Sequence, residues 1–322
     1  MAQRLAAVTG GTGFLGRWIV RELAANGWRV RVLARRDVIH PLWRDIEVEV
    51  VPGDLRDETA LVRLGQGADL VVHGAGLIKA SDRQAFFAVN EAGAARMARH
   101  TPAAMLLISS LAAREPQLSD YAASKRAGED AARAILGERL GVVRPPALYG
   151  PDDPETLPLF KLAASSPVLP LLDPRARLAM MHVADAARQI AALAEQPMGF
   201  TLALSDARPD GYGWREIMAT AAATFDATPR FVRVPALALH AIAALGGFSA
   251  RPAMLTPGKA REILHLDWSV ASYEQMCDLP PPLFDLPQGF LNSVQGYKTS
   301  GVVFAKLDKH AKDAVKPLGE RA

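Results

Sequence analysis

Short runs of β-branched and apolar residues alternate with longer stretches of helical periodicity through the first half of the chain. Leu5–Thr9, Arg29–Leu33, Val48–Val51, Leu70–His73, Met105–Ser109 and Leu140–Arg144 read as strands. Between them, Leu15–Ala25 and Phe86–Ala98 carry apolar residues at three- and four-residue spacing, which predicts amphipathic helices. Repeated strand–helix units connect parallel strands by crossovers, with helices on both faces. The pattern therefore predicts a doubly wound parallel sheet of the α/β class, binding its ligand at the carboxyl ends of the strands.

After Tyr149 the texture changes. Gly150–Pro154 is a turn cluster, and Pro158, Pro167, Pro170 and Pro174 interrupt the next stretch. Leu178–Val183 and Phe200–Leu204 read as late strands returning to the sheet, with a helix over Ala184–Ala194. The predicted division is a sheet domain over 1–150 with 178–204 returning to it, and a smaller lobe from 151–177 and 205–297. A basic tail covers 298–322. A chain of 322 residues is long enough for one large domain with such a lobe.

The first strand runs into Thr9-Gly10-Gly11-Thr12-Gly13-Phe14-Leu15-Gly16 and then a helix. Glycines at 10, 13 and 16 let the backbone turn sharply and approach a pyrophosphate, which the helix N-terminus attracts. In a strand–helix–strand unit this is the signature of a dinucleotide-binding Rossmann fold, with Gly10, Thr12, Gly13, Phe14 and Leu15 on the cofactor. About twenty residues on, the second strand ends in Arg35-Arg36. An acidic residue there would select the ribose hydroxyl of NAD, whereas arginines accommodate a 2′-phosphate. NADP(H) is thus favoured over NAD(H). Asp54, in Gly53-Asp54-Leu55, is placed either to accept from the adenine amino group or to cap a helix. Gly74, Ala75 and Gly76 are small enough to run beneath the cofactor.

Ser109-Ser110 ends the fifth strand, and Tyr121-Ala-Ala-Ser-Lys125 follows. Tyr and Lys four residues apart share a helix face, so the ammonium can lower the phenol pKa from ~10. Such a phenol can exchange the proton that accompanies hydride transfer, while a serine polarises the carbonyl.

Taken together, TGGTGFLG at 9–16, GDL at 53–55, VNEAG around Asn90, SS at 109–110, YAASK at 121–125, RPPALYGP at 144–151 and HVAD at 182–185 carry a resemblance. The chain resembles the extended short-chain dehydrogenase/reductases, the NAD(P)-dependent epimerase/dehydratase group, over residues 4–297. The resemblance implies Ser110 as the carbonyl-binding hydroxyl, Tyr121 as general acid/base and Lys125 as its partner. It also places Asn90 in a proton relay and Leu55 beside Asp54 at the cofactor, and implies a homodimer through helices around 85–98 and 121–136. Relatives that dehydrate nucleotide sugars carry an extra acid beside the serine, and here Leu111 and Ala112 follow Ser110. Sugar-nucleotide epimerases place an asparagine within the stretch matching 144–150, and here there is none. The pattern is nearer the hydroxysteroid and dihydroflavonol type of reductase. It implies an NADP(H)-dependent oxidoreductase working between a carbonyl and an alcohol on a fairly apolar small molecule. The alternatives are a nucleotide-sugar epimerase or dehydratase holding its cofactor tightly, and a non-catalytic NADPH-binding assembly or respiratory-complex subunit.

Composition narrows the partners. A single cysteine, Cys277, excludes an internal disulfide and a cysteine-rich metal centre, and no metal is expected. The start lacks a basic head with a long apolar run, and the most apolar stretch, Pro235–Gly247, falls short of the ~20 residues that span a bilayer. The expectation is a cytoplasmic protein without an integral membrane segment. Basic and acidic residues number 37 and 34, and the excess lies in the tail, so the body is not built for nucleic acid. Val302–Val315 is a candidate for weak peripheral contact with an anionic membrane, with a solvated tail the commoner outcome. Lys79, Arg175 and Arg177 are candidates for the cleft, against ordinary solvated side chains. Met180, Met181 and His182 read as structural.

Overall fold

A computed structural model describes residues 3–36, 40–246, 256–270 and 278–304. Cys277 and the tail beyond Phe304, including most of the 302–315 segment, lie outside them.

The chain forms β1 (Leu5–Thr9), α1 (Phe14–Ala25), β2 (Arg29–Ala34), β3 (Val48–Pro52), α2 (Glu58–Gly65), β4 (Leu70–His73), α3 (Arg83–Asn90), α4 (Ala92–Arg99), β5 (Ala104–Ile108), α5 (Asp120–Leu136), β6 (Leu140–Arg144) and β7 (Ala147–Tyr149). It continues through α6 (Leu157–Ser165), β8 (Val168–Leu171), β9 (Arg177–Leu178), β10 (Met180–His182), α7 (Val183–Leu193) and β11 (Thr201–Ala203). The C-terminal region is helix-rich: α8 (Trp214–Ala223), β12 (Arg230–Arg233), α9 (Ala236–Gly246), α10 (Pro257–Leu264), β13 (Asp267–Trp268) and α11 (Leu286–Thr299).

Seven parallel strands make the central sheet in the order β11-β6-β5-β4-β1-β2-β3. Alternate residues feed two cores, as the two-residue strand period requires. Ala6, Val8, Val30 and Val32 join the layer that includes Ile19, Leu23 and Ile190, whereas Leu5, Ala7, Val71 and Met105 join the layer that includes Leu61, Leu64, Met97 and Ala132. Strand order reverses between β1 and β4, so the loops after their carboxyl ends diverge and open a crevice.

Two predicted elements differ. The helix expected over Phe86–Ala98 is two helices that meet at Glu91. The interruption falls where α5 presses closest, for a Cβ at Gly128 would lie 2.3 Å from the Asn90 carbonyl oxygen. The segment 178–183 does not return to the main sheet: β9 pairs with β13 and β10 with β7, and of 178–204 only β11 enters it. Pro145 and Pro146 supply the reason. Lacking backbone N–H groups, they end the ladder after β6 and turn β7 away, and β10 follows β7.

Candidate active site

The turn from β1 to α1 depends on close backbone contact. Gly10 adopts φ +72°, and a Cβ there would fall 2.5 Å from the Ala75 backbone nitrogen; at Gly16 it would lie 2.0 Å from the Gly10 carbonyl oxygen. Gly13 caps α1 with no side-chain hydrogen bond, and both Thr12 and Gly13 are exposed. The first-turn N–H groups at Phe14 and Leu15 thus face outward without an intrahelical acceptor, at the positive end of the helix dipole. That uncapped end fits a pyrophosphate.

Beside it, Arg35 and Arg36 follow the end of β2, both exposed. Arg35 lines an open cleft of about 390 Å³ with Gly53, Asp54, Arg56 and Asp57. The Asp54 carboxylate accepts from the Arg56 backbone N–H at 2.7 Å and from its guanidinium at 2.9 Å. These bonds hold its pKa down to about 2, with Arg35 a smaller contributor. The helix-cap reading of Asp54 is corrected: Asp57 caps α2, accepting from Ala60 N–H at 2.9 Å. The Leu55 side chain is spent on packing, against Gly93 of α4.

The loop after β4 runs beneath this region. Gly74 N–H donates to the Thr9 carbonyl and Ala75 N–H to Thr9 Oγ1, at 3.0 and 3.2 Å. A Cβ at Gly76 would sit 3.0 Å from Asn90 Oδ1 and 3.7 Å from Lys125 Nζ, so this glycine leaves room between them. Asn90 is buried at the end of α3. It accepts from Leu77 N–H at 2.8 Å and donates to the Leu77 carbonyl at 3.0 Å and to Ser124 Oγ at 2.9 Å.

Ser119 caps α5, accepting from Ala122 N–H at 2.9 Å and donating to Glu262. Tyr121 therefore lies in the first turn and Lys125 one turn on. Ser110 accepts from Ala112 N–H and faces the Tyr121 phenol, whose pKa it draws down. Burial outweighs that pull and raises Tyr121 to about 12. The expected lowering by Lys125 is not what the geometry delivers. The Lys125 ammonium donates instead to the Ile108 carbonyl at 2.8 Å, and burial lowers its own pKa to about 8 against an upward pull from Glu129.

Two groups beneath the site were not singled out in the sequence. Glu129, a further turn along the face of Tyr121 and Lys125, is buried and holds the Arg144 guanidinium through two bonds, at 3.0 and 2.7 Å, while accepting from Ser109. The Y-x-x-x-K-x-x-x-E spacing was a visible signal. His73, ending β4, is buried against Thr9 Oγ1 at 2.8 Å, and burial first and Lys125 second lower its pKa to about 3. The unfolded chain takes up this proton near pH 6.5, so stability present above that value is lost as pH falls toward 3, by about 2 kcal/mol at pH 5. His73→Asn is expected to flatten the fall in Tm between neutral pH and pH 5; an unchanged slope would place the titration elsewhere.

The remaining candidates have local partners. Lys79 bridges Glu155 at 2.7 Å, Arg175 pairs with Asp173 at 2.8 Å, and Arg177 donates to the Pro174 and Ala176 carbonyls. Met180 and Met181 are core residues, and His182 packs on Phe284 with Nε2 at 3.1 Å from Asn292.

The model of the NAD dependent epimerase/dehydratase family matches residues 6–201. A ceramide reductase of Caulobacter vibrioides is 51% identical over 307 residues, 93% of this chain and 96% of that protein. Subunit 9 of the NADH dehydrogenase [ubiquinone] 1 alpha subcomplex of Dictyostelium discoideum is 28% identical over 202 residues, 60% of this chain and 56% of its own. Among solved structures, that of gox2253 superposes with a TM-score of 0.74 at 19% identity, over 93% of this chain and 99% of that one, a likeness of fold. Among the described residues no helix is long and apolar enough to cross a membrane. The chain belongs to the NAD-dependent epimerase/dehydratase family of NAD(P)-dependent enzymes.

Proposed function

We propose that the protein is an NADPH-dependent reductase whose substrate is the ketone counterpart of a ceramide-class lipid. The observation that carries the reading is Ser110 facing Tyr121 at the carboxyl end of β5, with no carboxylate on the Leu111–Arg114 turn to support an elimination. The lipid class is supported by the 51% identity to a ceramide reductase. Retention of Tyr121 and Lys125 favours an enzyme over a structural subunit.

In this reading Gly10, Thr12, Gly13, Phe14 and Leu15 hold the pyrophosphate through backbone N–H groups, and Gly74, Ala75 and Gly76 form the floor beneath the cofactor. Asp54, with the backbone of Leu55, meets the adenine, and Arg35 and Arg36 hold the 2′-phosphate. The cofactor supplies the hydride when bound. Ser110 donates to the substrate carbonyl oxygen and Tyr121 donates the proton that completes the alcohol. A phenol pushed up to about 12 remains protonated at neutral pH, which suits a proton donor. Lys125 holds a ribose hydroxyl and, with Asn90, the route by which Tyr121 is reprotonated. A cytoplasmic homodimer through α3–α4 and α5 belongs to the same proposal, as does a division into a sheet domain over 1–150 that β11 rejoins and a smaller lobe from the remainder up to residue 297.

The test follows NADPH oxidation with a keto-ceramide and, separately, the conversion of a UDP-sugar to its epimer or dehydrated product by chromatography, since that conversion consumes no net NADPH. Turnover of the lipid ketone alone supports the reading, and conversion of the sugar nucleotide alone contradicts it. Arg35→Asp with Arg36→Ala is expected to weaken NADPH binding at least ~10-fold, for lost charge-assisted bonds of about 1.5–3 kcal/mol each, while NADH binding holds. An unchanged preference would exclude these arginines from the phosphate.

A further inference from the structure

Residues 256–270 of the C-terminal region lie against the segment that leads into α5. The Arg114 guanidinium donates to the Asp267 and Ser269 carbonyls at 2.7 and 2.8 Å. From α10, Arg261 Nε donates to the Leu118 carbonyl at 2.7 Å. Trp268 shares a small apolar cluster with Leu111 and Leu118, and its indole N–H donates to the Glu262 carbonyl at 2.8 Å. A Cβ at Gly258 would sit 3.0 Å from Ser119 Cβ, so the missing side chain lets α10 approach the start of α5. These contacts bring the buried Glu262 carboxylate onto the Ser119 hydroxyl, two residues before Tyr121.

The direction of that bond matters. The other Glu262 oxygen takes the Lys259 ammonium at 3.1 Å. A carboxylate held in this way only accepts, so the Ser119 proton must point at Glu262. The hydroxyl lone pairs are then left to accept from Ala122 N–H, the bond that caps α5. Ser119 is itself buried, and a buried hydroxyl deprived of its acceptor loses this fixed orientation. The Glu262 charge also disfavours the Tyr121 phenolate, adding to the rise that burial causes, as a carboxylate facing the phenol should. Lys125, one turn on, has a separate anchor in the Ile108 carbonyl.

We infer that Glu262 is a positioning residue for Tyr121: through the Ser119 cap it fixes the first turn of α5, so the C-terminal region sets where the phenol stands against Ser110. Glu262 acts through Ser119 and not on the reacting atoms. The kinetic consequence rests on the reductase reading, whereas the placement of the ring does not.

The test reads Tyr121 by spectroscopy and by kinetics. In protein carrying ¹³C-labelled tyrosine, the Tyr121 ring signal is identified by its loss in Tyr121→Phe, and the neighbouring Phe86 ring makes its shift sensitive to position. Glu262→Leu removes the acceptor, and Glu262→Asp keeps the charge on a side chain one methylene shorter. Both should move that signal. Glu262→Gln keeps an acceptor oxygen at the same reach and should restore it. With a keto-ceramide, kcat should fall ~10–10²-fold in the Leu and Asp variants, as for a slightly misplaced reacting group, with KM little changed. It should recover in Glu262→Gln. Added to Tyr121→Phe, Glu262→Leu should lower kcat no further, because it acts only through the phenol. NADPH binding establishes that each variant folds, and if Glu262→Leu does not, Glu262→Asp carries the test. An unmoved ring signal overturns the inference. So does a full further loss in the Tyr121→Phe background, which marks a general structural role. Equal impairment in Glu262→Gln and Glu262→Leu also overturns it, because the charge and not the bond then matters. A parent that leaves the keto-ceramide untouched contradicts the reductase reading alone, and the ring signal still decides the inference.

Discussion

Tyr121→Phe is expected to bind NADPH as the parent does and to turn over ~10²–10⁴-fold more slowly, the range set by loss of a positioned proton donor. The ring keeps its contact with Phe86, at 6.1 Å between centroids, so the site should retain its shape. What disappears is the O–H that Ser110 faces. KM for the ketone should move far less than kcat, since the proton is transferred only in the transition state. A variant with parental kcat would remove Tyr121 from the chemistry and return the protein to a binding role.

The second large effect lies one layer below. Glu129→Leu should destabilise the fold by about 3 kcal/mol, because it takes the carboxylate from a largely buried guanidinium, Arg144, and from Ser109. This network joins the end of β5, where Ser109 precedes Ser110, to α5, which carries Tyr121 and Lys125. Its loss should loosen the site as well as the fold. The gentler Glu129→Gln keeps the volume and removes the charge. Lys125 then loses an upward pull on a pKa already near 8. The alkaline fall in rate, where the ammonium is lost, should therefore begin at lower pH. Denaturation midpoints check the first expectation and a pH–rate profile the second. Parental stability in Glu129→Leu would mean that Arg144 and Ser109 are satisfied without the carboxylate.

The sheet was legible in the sequence because its strands are buried on both faces, which leaves continuous apolar runs such as Leu5–Thr9 and Leu70–His73. The glycine loop and the Tyr121–Lys125 pair were legible because local geometry demands those residues at that spacing. The single helix expected over Phe86–Ala98 failed for a tertiary reason, the approach of α5 through Gly128, which no local propensity encodes. The departure of β7 was signalled by Pro145-Pro146, but which strand it would then pair with depends on contacts distant in sequence. Lys125 presents the same limit in the site. Spacing puts it on the Tyr121 face, and only the structure shows its ammonium bonded to Ile108. His73 and Glu129 were unremarkable as letters, and it is burial beside Lys125 that makes them matter.

The most direct measurement of the central claim is transfer of deuterium from NADPH labelled at its reactive carbon. The purified protein would be incubated with labelled NADPH and a keto-ceramide, and the lipid analysed by mass spectrometry and NMR. Hydride transfer from the cofactor, with Ser110 and Tyr121 acting on the carbonyl oxygen, predicts one deuterium at the new carbinol carbon, one NADP⁺ formed per alcohol, and label incorporation by Tyr121→Phe slowed by the same ~10²–10⁴-fold as its turnover. Recovery of unlabelled lipid with NADPH unconsumed would contradict it.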